Sequence, residues 1–210
     1  AGGDVVPSGG GTRQPLGRTT MLPSIDKGPG DFLVRLELRD AQLPTTHLDG
    51  VSRIGFIQGD FARVRGAGGN IVEAYGVYRP DTHEIQLAVN ADESFGGSSN
   101  VHVFGGATVL HEIGHHVHLS KLTDAAAIEW ETYSAKGSRA RISAYARTNQ
   151  GEHFAEAYRA YFRGGTDRAR LKALEPQAYR FMQRLNTDGR LFLPSGIYAP
   201  VDQVDHRYLG

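Results

Sequence analysis

Hydrophobic positions change their rhythm once along this chain. Between residues 31 and 89 they alternate or cluster in short runs, and from Ala107 onward they recur every three or four residues. The first rhythm predicts strands and the second predicts helices. Phe32-Leu33-Val34-Arg35-Leu36-Glu37-Leu38 has the partial alternation of a strand, and Ile54-Gly55-Phe56-Ile57 reads as another. A hairpin follows, from Ile71 to Tyr78 and from Glu84 to Val89, about a turn at Arg79-Pro80-Asp81-Thr82. Ile85, Leu87 and Val89 are spaced to bury one face of its second strand. Asn90 to Gly106, rich in Asn, Ser and Gly, predicts a loop.

In the second half, Leu110, Ile113, Gly114 and Val117 form the apolar stripe of a first helix. A second helix is expected from Thr123-Asp124 through Tyr133, and a third, capped by Asn149, from Gln150 to Phe162. A fourth opens at Thr166 or Asp167 and ends near Leu174, and Pro176 suits the first turn of a fifth that ends near Asn186. Strands first and helices afterwards imply an α+β fold, a small mixed sheet over a helical bundle, in one domain from residue 31 to 210. Residues 1–30 carry eight Gly and four Pro. Such a stretch loses much backbone entropy on ordering and offers little apolar surface in return, so it reads as an arm or linker.

Composition narrows the partners. Lys plus Arg and Asp plus Glu number 23 each, and a net charge of zero gives no footing for a nucleic-acid or anionic-membrane partner. No apolar run approaches the ~20 residues of a membrane span. There is no cysteine, which removes disulfides, a thiol nucleophile and thiolate metal ligands together. Ala rather than Met at position 1 suggests a processed or excised portion of a longer chain.

The chemistry is concentrated in Val109-Leu110-His111-Glu112-Ile113-Gly114-His115-His116. At about 3.6 residues per turn, His111 and His115 lie on one helix face and can reach a single zinc ion. Glu112, offset by one position, is placed to take a proton from a zinc-activated water. The metzincin continuation needs Gly at 118 and His at 121, where this chain has His118 and Lys121. A third ligand from a later helix is therefore expected, with Glu129, Glu131, Glu152 and Glu156 as candidates. Glu152 has the most persuasive context, since Glu152 and Glu156 lie four apart, so that one could bind metal while the next orients a ligating histidine. Asn149-x-x-Glu152 also fits a helix-capping pattern. His116 and His118 are expected to be solvent-exposed or satisfied in the core, His153 to point away from the metal, and Trp130, Tyr158, Tyr161 and Phe162 to form core.

Ser143-Ala144-Tyr145-Ala146-Arg147-Thr148-Asn149, followed by Glu152-His153-Phe154-Ala155-Glu156-Ala157-Tyr158-Arg159, resembles the catalytic domain of anthrax lethal factor and its relatives, among them Pro-Pro endopeptidases. The resemblance covers about residues 105–187. It implies a zincin-like metallopeptidase domain with one Zn2+ on His111, His115 and Glu152, Glu112 as base, and Glu156 supporting the ligands from behind. It also implies Tyr145 as a phenol that hydrogen-bonds the oxyanion or the departing amine. The implied activity is that of an endopeptidase on a protein or peptide substrate, secreted or translocated as an effector or toxin domain. Enzymes of this kind hold substrate along a sheet edge, and the 84–89 strand is the candidate edge. The rival readings are a zinc amidase on a non-protein substrate and a catalytically idle zincin module.

Overall fold

The structure is a computed structural model that describes residues 23–28, 30–58, 62–65, 71–92, 100–103, 108–135 and 141–200. Helix α1 spans Asp31–Ala41, where the sequence predicts a strand over 32–38. Val34 is its only β-branched residue, and Val34, Leu38 and Ala41 form an inward stripe that a helix satisfies. Leu, Glu and Arg supply helix propensity, Asp31 sits in the first turn, and a left-handed Gln42 at φ 49° ends the helix. Phe32, which strand alternation would bury, is 68% exposed.

Strand β1 (Ser24–Ile25), within the stretch expected to form an arm, runs parallel to β2 (Arg53–Gln58). A separate hairpin pairs β3 (Ala62–Arg65) with β4 (Ile71–Ala74). A bend at Tyr75 divides β4 from β5 (Gly76–Arg79), so the expected first arm of the central hairpin is split between two sheets. Strand β6 (Glu84–Asp92) pairs parallel with β2 on one flank and antiparallel with β5 on the other.

Strand β6 continues beyond β5 to pair with β7 (Asn100–Val103), which falls in the region expected to be a loop. Val101 and Val103 give β7 its strand character, hidden in the sequence by the Gly and Ser around it. Because Val89 faces Gln58 of β2 and Val103 of β7, β7 must lie on the β5 side. The 84–89 strand expected at the edge is therefore central. Leu87 and Ala88 are both fully buried, as a strand covered on two faces requires. The sheet order is β1-β2-β6-β5, and the edge beside the helices is β5.

Helix α2 (Thr108–His116) runs beneath β5 and β6 and ends in one π-helical turn, Val117–Lys121, closed by Leu122 N–H donating to Val117 C=O. Helices α3 (Asp124–Ala135), α4 (Gln150–Arg163), α5 (Gly165–Leu174) and α6 (Pro176–Thr187) follow as the sequence predicts. The core lies between sheet and helices. Ile54, Ile85 and Leu87 meet Leu110, Ile113 and Val117, all fully buried and each worth roughly 1.5–3 kcal/mol. Trp130, Tyr158, Tyr161 and Phe162 are core residues, as expected. None of the described helices is long and apolar enough to cross a membrane.

Candidate metal centre

Two helices build the site by passing very close to one another. A Cβ placed on Gly114 of α2 would stand 2.9 Å from the Cα of Ala155 on α4. Only glycine permits that approach, and it brings the His111–His115 face of α2 against the first turn of α4. Asn149 caps α4 by accepting from the Glu152 N–H at 2.9 Å. The cap thus exists, but the Glu152 carboxylate turns inward to the histidines.

His111 Nε2 and His115 Nε2 are 3.1 Å apart, and Glu152 Oε2 is 3.1 Å from the first and 3.3 Å from the second. A tetrahedral zinc with ligands at about 2.0–2.1 Å requires ligand atoms roughly 3.3–3.4 Å apart. The three atoms form such a face, and all three residues are buried. Among the described residues no other cluster of His and carboxylates meets metal-ligand spacing. Glu129, a rival ligand in the sequence, pairs instead with Arg184 of α6, and Glu131 lies outside the cluster.

Burial disfavours charge on His111, yet hydrogen bonds to Glu152 and Glu156 and the nearby Glu112 charge outweigh it and push its pKa up to about 10. The same carboxylates would favour a cation bound between the two histidines. Burial opposes ionisation of Glu152 too, but His115 and His111 hold its carboxyl well below the usual range.

Glu156 accepts from His111 Nδ1–H at 2.9 Å, fixing the tautomer that leaves Nε2 for a metal. Two groups the sequence did not single out hold Glu156 in turn. Arg159 Nη2 donates to its Oε2 at 2.9 Å, and Ser143 hydrogen-bonds it from the loop before α4. Burial chiefly raises the pKa of Glu112, which is 4% exposed, and the nearby Tyr78 backbone of β5 works against that rise. Tyr145 lies in a single 3₁₀ turn whose Ala146 N–H is bonded by Ser143 Oγ. Tyr145 is 49% exposed, and its ring lies 5.7 Å from that of His111, centroid to centroid, near the Glu152 carboxylate. Burial and the Glu152 charge raise its pKa, so the phenol stays protonated and can donate.

The neighbouring histidines are core residues. His116 bonds the Tyr78 hydroxyl and the Asp49 carbonyl, and His118 is fully buried and stacked on Phe154. His153 points away to Glu175 at 2.6 Å.

The helices and the sheet edge above them form a single α+β domain that gathers this cluster. The chain belongs to the family described as anthrax toxin lethal factor, N- and C-terminal domain, whose model matches residues 41–185. The match reaches well before the 105–187 block that carries the motifs and takes in strands β2 to β7. No curated protein matches the chain.

Proposed function

We propose that the chain is a zinc-dependent endopeptidase, with one zinc per chain held by His111, His115 and Glu152 and an attacking water activated beside them. The observation that carries this reading is the three-atom face of near-tetrahedral spacing with a buried carboxylate on each side, Glu112 toward the sheet and Glu156 behind. Zinc bound there would supply Lewis-acid polarisation of water and substrate carbonyl.

The chain's own residues do the rest. Glu112, whose burial makes it a stronger base than an exposed glutamate, accepts the proton of the attacking water and returns it to the departing amine. Tyr145 donates its hydroxyl to the charge that develops on the carbonyl oxygen or to the leaving nitrogen. Glu156, steadied by Arg159 and Ser143, keeps the His111 ring in register. The edge of β5, rather than the 84–89 strand, offers backbone groups to an extended peptide. The family's name supports a secreted or translocated toxin or effector as the biological setting.

The test is digestion of a mixed peptide library by the zinc-loaded protein, with and without chelator. New internal cleavage sites that chelator abolishes are expected. Tight zinc binding without cleavage would instead favour an idle binding module, and turnover only of non-peptide amides would favour an amidase.

A further inference from the structure

Strand β5 and helix α2 run in step. Two residues of strand advance about 6.8 Å and four residues of helix about 6 Å, so alternate residues of β5 meet successive turns of α2. Gly76 meets Thr108 and Glu112, and Tyr78 meets His116 and Ser120.

Gly76 is not in the left-handed region, so its backbone does not demand glycine. Space does. A Cβ there would lie 2.7 Å from Glu112 Oε1, 2.9 Å from Glu112 Cγ and 2.8 Å from Thr108 Cγ2. Tyr78, 2% exposed, anchors the same strand through its hydroxyl, 2.9 Å from His116 Nδ1, 2.8 Å from Ser120 Oγ and 2.7 Å from His83 Nδ1. His116 donates from Nε2 to the Asp49 carbonyl, so its Nδ1 accepts the phenol proton. The π-helical turn brings Ser120 to that hydroxyl one turn beyond His116.

The backbone of Tyr78 has a second task. Tyr75 C=O accepts from Ala88 N–H, so in the antiparallel alternation residues 75 and 77 bond β6 while 76 and 78 face outward. The outward Tyr78 N–H is free of β6, on the strand against which Glu112 lies, and the Tyr78 backbone favours the ionised form of that carboxylate.

We propose that Gly76 and Tyr78 are positioning residues for Glu112: Tyr78 locks β5 onto α2, and the gap at Gly76 lets the Glu112 carboxylate lie against the strand, where the Tyr78 N–H fixes its direction. The proposal rests on Glu112 being the base. A glutamate has three rotatable side-chain bonds, and a misplacement of about 1 Å at a reacting group can cost on the order of 10²-fold in rate.

Amide hydrogen exchange of the metal-free protein tests the geometry without any turnover. In Gly76→Ala the position-78 amide should exchange roughly 10–100-fold faster, the factor expected for losing a hydrogen bond to a charged acceptor. The Val77 amide, turned toward β6, should keep its wild-type rate. Equal protection at position 78 in wild type and variant would overturn the proposal, and so would Val77 accelerating in step, which would mean general loosening. Should Gly76→Ala fail to fold, Glu112→Ala must release the position-78 amide by the same factor, or the proposal falls. With zinc bound, Gly76→Ala should lower kcat roughly 10–100-fold with KM and zinc content unchanged. In a Glu112→Gln background it should cost nothing further, and an additive loss would contradict the assignment. If the wild-type protein cleaves no peptide, the peptidase reading fails, while the exchange result still decides whether this strand orients Glu112.

Discussion

Replacing Gly114 with alanine would place a methyl group 2.9 Å from Ala155 Cα and 3.2 Å from Tyr158 Cβ. Carbon atoms prefer about 3.5–4.0 Å, so the contact is short by about 0.6 Å or more. The obstacle is backbone on a fully buried helix face, and no side chain can swing aside to relieve it. Helix α4 must therefore retreat, carrying Glu152 and Glu156 away from the histidines of α2. Overpacking of this kind costs about 1–3 kcal/mol, which in a domain of this size lowers Tm by roughly 2–12 °C. Metal ligands tolerate displacements of only about 0.2 Å, so zinc affinity should fall together with stability, by roughly 10–100-fold.

Thermal unfolding in chelator and a competitive zinc titration measure the two effects separately. Gly189→Ala is the control, because a Cβ there meets nothing within 4 Å. It should change stability by less than about 0.5 kcal/mol. Gly114→Ala behaving like Gly189→Ala in both assays would refute the close α2–α4 approach on which the site depends.

Other perturbations separate the roles. Glu152→Ala should lose zinc in metal analysis, and full retention would remove Glu152 from the ligand set. Tyr145→Phe should leave zinc content unchanged while kcat falls about 10²–10³-fold with little change in KM; unchanged kcat would take Tyr145 off the catalytic list. Burial holds His47 down at a pKa of about 4, against an ordinary 6.5. Its proton is therefore bound more tightly by the unfolded chain. That contribution to stability is fully present above pH 6.5 and is lost as pH falls toward 4, about 3 kcal/mol in all. Urea unfolding at pH 7 and pH 4.5 should show a smaller loss in His47→Gln than in wild type, and equal losses would exclude His47 as the source.

The parts of this molecule legible in the sequence are those set by local pattern. Helices α2 to α6 announce themselves by three-to-four periodicity, by the Asn149 cap and by Pro176 at a first turn. Glu152 and Glu156 were legible as a pair because four-residue spacing puts both on one face. Helix α1 was not, because Phe32 to Leu38 satisfies both periods and only packing against the later helices selects one. The sheet edge was hidden for a different reason. Whether Ile85 and Leu87 sit on an edge or a central strand depends on β2 and β7, which pair with β6 from distant parts of the chain. Gly76 against Glu112 is likewise a tertiary meeting, whereas Arg159 on Glu156 is a local i,i+3 pair on α4, of a kind that helix spacing does reveal. Gly76 did leave a trace, a glycine inside a strand, which often marks a close approach.

The central claim is that zinc and Glu112 together hydrolyse peptide bonds, and comparing wild type with Glu112→Gln at equal zinc content tests it most directly. Glutamine keeps the shape of the side chain and removes its capacity to accept the proton. The account predicts a peptide-cleavage rate lower by at least about 10²–10⁴-fold, with one zinc per chain in both proteins. Near-wild-type cleavage by zinc-loaded Glu112→Gln would contradict it.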